Sequence, residues 1–401
     1  MEKLYYENAY ERNFVANIIE VIEEDHQFHI RLDRTYFYPE GGGQPSDVGY
    51  IESSPIIYVY EKEDLIYHVT ERKPSKFKKV QCEIDWQVRF DYMQQHLGQH
   101  ILSASFVELF DATTIGFHLS KEYSTIDIDK VIDSDGFKKV EDLANETIAN
   151  NLTVETLFPT EQELRKLPLR KQVSEKVQGP IRLVKIGDFD LVACCGTHPK
   201  STLEVQLIKI IKVEKYKVGM RIEFLCGKRA IGDYSKKQES LKEVARLLGV
   251  NEQDVPARVH HMSSDINDLH SSVRALRSEV ICHTVEKMLR DAETIDGIKV
   301  IKEVYQNIDL KYVNNIATQL TAYPNVIALF GIEADDKAHL LFAQSKELKL
   351  LSMNVLLKDA ITLIDGKGGG SDFSAQGGGK NNNNLDSSIA YAYSKVRASI
   401  L

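Results

Sequence analysis

Two pairs of residues in this chain carry the donor atoms of a metal site. His96 and His100 are four positions apart. On a helix that spacing puts both imidazoles on one face, about 5–6 Å apart at Cβ, close enough to share one ion. Alone, such a pair is weak evidence, because helical histidines recur at this spacing by chance. The second pair is Cys194 and His198, in the run Cys194-Cys195-Gly196-Thr197-His198. That run follows a segment that reads as a strand and contains Gly196, so a tight turn is expected there. Such a turn folds a thiolate and an imidazole back toward one point, and mixed nitrogen and sulfur ligation suits zinc. The pairs lie far apart in the chain, so their convergence on one zinc ion per chain is an expectation that the fold must meet. A zincin protease would need Glu directly after the first His as general base; Leu97 stands there, which excludes peptide hydrolysis of that type. Cys195 competes with Cys194 as a ligand, but only Cys194 has the four-residue spacing to His198. His118, beside Phe117, is read as structural or substrate-facing.

The elements that must position these residues follow from periodicity. Up to about residue 90, β-branched and aromatic runs at Phe14 to Ile22, Phe28 to Leu32, Ile56 to Tyr60, Leu65 to Val69 and Val80 to Ile84 read as strands of a short-strand barrel. From Asp91 the period becomes helical, with Met93, His96, Leu97, His100, Ile101, Ala104 and Val107 on one face. A mixed α/β stretch follows, with a helix near Asp135 to Asn151 and strands at Ile181 to Ile186, Leu191 to Ala193 and Arg221 to Leu225. A helix ending at Leu248 is capped by Gly249 in the left-handed conformation. The next, from about Asp254 to Asp291, carries Val259, Met262, Ile266, Leu269, Val273, Leu276 and Val280 in alternating steps of three and four. That is a heptad seam, and a helical hairpin or short coiled coil is expected, with one ordinary amphipathic helix as the alternative and a dimer through the seam left open. The last region alternates strands (Lys299 to Val304, Val326 to Gly331, His339 to Gln344, the last two joined by a turn at Asp335-Asp336) with helices (Leu310 to Ala322, Met353 to Ile364, Asp386 to Ile400). The expected fold is α+β in four parts: a β-barrel over 1–88, a zinc-containing α/β domain over 89–230, a helical spacer over 231–292, and a small α/β domain over 293–401.

At 401 residues the chain is too long for one ordinary core. Hydrophobic residues at 43% and charged residues at 27% describe a globular protein, and no apolar run approaches a membrane span. The start lacks the basic and apolar regions of a signal peptide, so the cytosol is expected. Five cysteines do not read as a disulfide framework in such a chain. A formal charge of −9 argues against a protein coated in positive potential, though RNA can be read by shape and a few local basic groups.

The HxxxH pair, the Cys-x-Gly-Thr-His turn and the upstream segment Thr35-Tyr-Phe-Tyr-Pro-Glu-Gly-Gly-Gly-Gln44-Pro-Ser-Asp47-Val-Gly49 resemble the editing domain of alanyl-tRNA synthetases and its free-standing AlaX-type relatives, in the same chain order. The departure is Cys195, where that family usually has Gly; the ligand spacing is intact, with an oxidisable thiol added. Gly366-Lys-Gly368-Gly369-Gly370-Ser-Asp-Phe-Ser-Ala-Gln-Gly377-Gly378-Gly379, followed by a turn at Asn381 to Asn384 and a terminal helix, is similar to the C-terminal domain of alanyl-tRNA synthetases. By composition alone this run is ambiguous between a phosphate-cradling loop and a flexible linker.

The resemblance covers essentially the whole chain and implies a hydrolase. Its substrate would be tRNA(Ala) carrying serine, or glycine, and its reaction cleavage of the ester to the terminal ribose. Alanine pockets discriminate poorly against one extra hydroxyl or one missing methyl, which a second, hydrolytic site corrects. By resemblance Thr35 and Gln44 line the pocket, Thr35 meeting the serine hydroxyl, and Gly368, Gly369, Gly370, Gly377, Gly378 and Gly379 belong to the tRNA-binding domain. Arg221 is given no role beyond RNA contact. No activating domain precedes the editing part, so the chain is expected to discharge tRNA and not to charge it. Four protein ligands describe a closed metal site, whereas catalytic zinc keeps a position open, so zinc either loosens a ligand or shapes the pocket. Two alternatives remain: editing of another mischarged tRNA, such as Ser-tRNA(Thr), and a non-catalytic, zinc-stabilised RNA-binding protein.

Overall fold

The computed structural model describes residues 2–173, 181–334, 336–380 and 383–401. The chain forms two compact units, Met1–Glu252 and Gln253–Leu401. The architecture is mixed α+β, and among the described residues no helix is long and apolar enough to cross a membrane.

The first unit opens with a seven-stranded antiparallel sheet. Its order is Asn13–Ala16, Val80–Ile84, Gly49–Ile51, Ser54–Lys62, Leu65–Thr70, Gln27–Leu32, Ile18–Glu24. Strict alternation drives it: Val80, Cys82 and Ile84 are buried while Gln81 and Glu83 face solvent. Its inward residues form one core with Phe14, Ile30, Phe37, Val59 and Ile66. The expected barrel is thus a sheet whose two edge strands, Asn13–Ala16 and Ile18–Glu24, are consecutive in the chain.

Helix α1 (Trp86–Phe110) is the hub of a second core. Asp85 caps its N-terminus, accepting from the Gln87 and Val88 amides, and Asp111 ends it in the left-handed conformation. The sequence suggests a one-faced helix from Asp91; instead every residue from Tyr92 to Phe106 is buried. Its polar residues are therefore enclosed and individually satisfied: Gln95 exchanges bonds with the Cys226 backbone, and Gln94 donates to the Glu204 carbonyl. Around it lie a four-stranded sheet (Thr114–Leu119, Ser124–Ile128, Gly219–Cys226, Ile208–Tyr216) and a three-stranded one (Val154–Leu157, Leu183–Ile186, Asp190–Ala193). Helix α2 (Ser134–Ala149) packs on α1, and the short α3 (Glu161–Leu164) is held by a Thr160/Glu163 capping box. Helix α4 (Gly227–Leu248) ends on Gly249 at φ 65°, the left-handed cap expected from sequence.

The second unit begins with α5 (Val255–Asp291). A six-stranded sheet follows in the order Glu293–Ile295, Ile298–Gln306, Val326–Ala334, Lys337–Gln344, Ser374–Lys380, Lys367–Gly370. One pair, Ile298–Gln306 with Val326–Ala334, is parallel, and α6 (Leu310–Leu320) is the crossover it requires. Val326 to Ile332 is buried at every position because helices cover both faces: α6, and α8 (Leu385–Ile400), which follows α7 (Met353–Ala360). The seam residues Val259 to Val280 of α5 are 38–63% exposed. Asp335, Asn381 and Asn382, expected in turns, lie outside the described residues.

The glycine-rich run is neither loop nor linker but an antiparallel hairpin, with Gly368 opposite Gly377 and Gly370 opposite Ala375. A Cβ on Gly368 would lie 2.5 Å from the Gly377 Cα, and one on Gly379 would lie 2.2 Å from the Ile364 carbonyl oxygen. The glycines are there because the backbones approach too closely for a side chain.

Candidate metal centre

The two ligand pairs converge. On α1, the His96 and His100 rings lie nearly parallel, 5.1 Å apart. The turn after strand Asp190–Ala193 brings the His198 ring to 4.7 Å from His96 and 5.0 Å from His100. Cys194 Sγ sits 3.4 Å from His96 Nε2 and 3.5 Å from His198 Nε2. One donor atom from each of the four residues lies within 4.8 Å of all the others. Tetrahedral zinc with bonds of about 2.0–2.3 Å would ask for about 3.3–3.8 Å between donors, so small side-chain rotations suffice. Gly196 is what lets the turn close: a Cβ there would fall 2.1 Å from His96 Cε1 and 2.7 Å from Gln44 Oε1.

The hydrogen bonds around the rings orient them for a metal. Thr197 N–H can only donate, so the Gln44 atom facing it, at 3.1 Å, is Oε1. The same oxygen lies 2.8 Å from His96 Nδ1, which must then carry the proton, leaving the Nε2 lone pair for the centre. Gln44 Nε2 donates to Thr197 Oγ1 at 2.9 Å, so all of Gln44 is committed. His100 Nδ1 faces the Asp190 carboxylate at 3.7 Å, and Arg170 holds that carboxylate through Nε at 2.7 Å. Among the described residues both nitrogens of His100, and His198 Nδ1, are buried with no hydrogen-bond partner. At His100, an orphaned buried imidazole nitrogen beside the Cys194 thiol is the environment a metal ion satisfies.

The electrostatics agree. Burial pushes the Cys194 thiol up, but His96, His198 and His100 around it prevail and hold it well below the usual thiol range. Burial opposes the charged form of His100, yet Cys194 and Asp190 outweigh it and raise His100 to about 8. Burial takes His198 down to about 3 despite Cys194. Asp190 stays below the usual carboxylate range because His100 and Arg170 outweigh its burial. A thiolate is the form a metal requires of cysteine.

A cleft of about 990 Å³ opens over the cluster, lined by His96, His100 and Cys194 together with Tyr38, Gly42, Gly43, Phe117 and Cys195. Phe117 stacks on His96 at 5.4 Å. His118, the residue singled out from sequence, points the other way along the strand and is exposed. Cys195 is exposed on the cleft wall, and Cys194 alone joins the ligand cluster. Arg182 fixes the ligand turn by donating to the Cys194 and Gly196 carbonyls at 2.8 and 3.0 Å.

Two residues expected on the pocket wall are placed differently. Gln44 is fully buried behind His96. Thr35 is fully buried too, and is absent from the cleft lining. His68 Nδ1 donates to the Ile30 carbonyl at 3.0 Å, so its Nε2 accepts from the Thr35 hydroxyl at 2.9 Å, while Thr35 accepts from the Phe37 amide at 3.0 Å. The glycine segment between them is anchored instead by Asp47, which accepts from the Tyr38 amide and forms a buried ion pair with Arg89 of α1. Sequence reasoning missed Arg89, Arg170, Arg182 and Asp190 and the anchoring role of Asp47; near the site, the Asp85 cap is a local signal for where α1 begins. Arg221 pairs with Asp127 through two bonds and stacks over Tyr216.

Comparison with known proteins adds an independent line. Residues 2–88 match the family "tRNA synthetases class II (A)", residues 181–223 "Threonyl and Alanyl tRNA synthetase second additional domain", and residues 297–398 the "DHHA1 domain". The chain is 35% identical to the alanyl-tRNA editing protein AlaX-L of Pyrococcus horikoshii, over 94% of each chain. It is 28% identical to the alanine–tRNA ligase of Methanobrevibacter smithii, over 97% of this chain and 45% of the ligase. It is 31% identical to that of Pyrococcus furiosus, over 82% and 37%. The chain thus spans less than half the length of these ligases.

Proposed function

This chain belongs to the alanyl-tRNA editing family of the AlaX-L type, and from that premise we propose that it is an aminoacyl-tRNA deacylase acting in trans on mischarged tRNA(Ala). The observation that carries the proposal is the cluster of His96, His100, Cys194 and His198 in the floor of a large cleft. Serine is the principal amino acid removed and glycine the second, for the reason that an alanine-sized pocket rejects neither by binding alone.

His96, His100, Cys194 and His198 would hold one zinc ion. When bound, that ion would fix the shape of the cleft floor, and it would act as a Lewis acid toward the ester only where one of the four ligands gives way. The chain's own residues do the rest. Gln44 holds the proton of His96 on Nδ1, away from the centre, and Asp190 sets a negative charge beside His100 Nδ1. Phe117 walls the cleft against His96 and excludes water from one side, and Gly42 and Gly43 leave room for the ester end of the substrate. Gln44 is a positioning residue, and Thr35 supports the strand behind the cleft. The four-residue donor set favours a metal that shapes the pocket over one with an open position.

The C-terminal unit would supply tRNA affinity, and the exposed seam of α5 would pair two copies of the chain. The deciding experiment is deacylation of seryl-tRNA(Ala), glycyl-tRNA(Ala) and seryl-tRNA(Thr) side by side, with zinc measured in the native protein and in a His96→Ala, His100→Ala double variant. Hydrolysis confined to tRNA(Ala) and lost with the zinc is expected. Preference for tRNA(Thr) would assign another substrate, and binding without hydrolysis would leave a zinc-stabilised RNA-binding protein.

A further inference from the structure

The glycine hairpin, with its strands paired to each other and to Lys337–Gln344, spends much of its backbone hydrogen-bonding within the sheet. Close backbone packing accounts for Gly368, Gly370, Gly377 and Gly379. A second surface of this unit carries cations that RNA contact would use. A concave site of about 460 Å³ lies between α5 and α6. From α5 it presents Arg274 and Arg277, three residues apart and so on one face; from α6 it presents Lys311, with the amide side chains of Asn315 and Gln319 one turn apart beyond it. The three cations are exposed. Arg274 spends one donor on the His270 carbonyl, and among the described residues the side chains of Arg277 and Lys311 have no ion-paired or hydrogen-bonded partner. Among the described residues the single carboxylate in the lining, Asp309, caps α6 by accepting from the Lys311 amide.

We infer that this groove binds the sugar–phosphate backbone of tRNA. Two planar guanidinium forks and an ammonium converging on one concavity match phosphate oxygens, and neighbouring amides match ribose hydroxyls. The groove reads charge and backbone shape, so it serves affinity and leaves the amino-acid choice to the cleft in the other unit. In a chain of net charge −9, such a patch is where a polyanion is attracted.

The inference rests on tRNA being the ligand. It is tested on the full chain by fluorescence anisotropy with labelled, uncharged tRNA over a salt series. The triple variant Arg274→Gln, Arg277→Gln, Lys311→Gln should weaken binding roughly tenfold or more at ~0.1 M salt. It should also flatten the slope of log affinity against log salt by about 2–3, since each phosphate contact contributes nearly one unit. Asp309→Asn keeps the helix cap but removes the only carboxylate in the lining, so it should tighten binding, a gain that misfolding does not produce. A triple variant with native melting temperature, native affinity and native salt slope overturns the groove assignment, as does an Asp309→Asn protein that binds more weakly. Failure of the native chain itself to bind or deacylate tRNA would instead overturn the functional reading on which the groove depends.

Discussion

Replacing Gln44 by Met tests whether this residue acts through the metal ligands. Met fills a similar volume but accepts no strong hydrogen bond. The Gln44 oxygen now accepts from both His96 Nδ1 and the Thr197 amide. Both donors are buried, and each left unsatisfied costs about 1–3 kcal/mol, or about 2–6 kcal/mol together. The part borne by His96 appears as metal affinity, because a freed ring loses its fixed tautomer and orientation; loss of such an outer contact typically weakens a metal site about 10–100-fold, or about 1.4–2.7 kcal/mol. The assay is zinc competition against a chromophoric chelator, with thermal unfolding of the metal-loaded and metal-free protein in parallel. Gln44→Glu is the companion variant. It keeps an acceptor for both donors, and the Thr197 hydroxyl can rotate to donate in return, so near-native zinc affinity is expected. If Gln44→Met retains native zinc affinity, or if Gln44→Glu falls as far as Gln44→Met, the coupling from Gln44 through His96 to the metal is wrong.

Gly196→Ala puts a methyl 2.1 Å from His96 Cε1. It should displace the ligand turn and cost about 1–3 kcal/mol, and a variant with native zinc content and stability would contradict the packing. Thr35→Val strands the Phe37 amide and His68 Nε2, costing about 1–3 kcal/mol; clearance of serine and glycine should fall together, whereas selective loss of serine clearance would place Thr35 against the substrate hydroxyl. His68 is fully buried, and burial lowers it to about 4 although the Ile30 carbonyl favours its charged form. The unfolded chain therefore takes up a proton that the folded chain refuses. The stability His68 confers is fully present above about pH 6.5 and is lost as pH falls toward 4, by about 3 kcal/mol. Denaturant titrations at pH 7 and pH 4 should show this loss shrinking in His68→Gln, and an unchanged loss would mean His68 titrates normally.

Local chemistry was legible in the sequence because it depends on near neighbours. The four-residue spacings of His96 with His100 and of Cys194 with His198, the Gly249 cap, the length of α5 and the strand runs are fixed by helical and strand periods and by turn sterics. What the sequence could not fix was decided by contacts between distant segments. Gln44 and Thr35 belong to one glycine-rich motif, yet both are withdrawn from the cleft wall because His96 and His68, each reached through folding, take their hydrogen bonds. Helix α1 looked one-faced because Gln94, Gln95 and Gln99 are polar; sheets close around it, and buried backbone and side-chain partners satisfy those amides where water would have done so. Asp190 and Arg170 carry no motif at all. Their meeting with His100 exists only once strand Asp190–Ala193 lies beside α1, since a buried carboxylate is recognised by what surrounds it and not by its place in the chain.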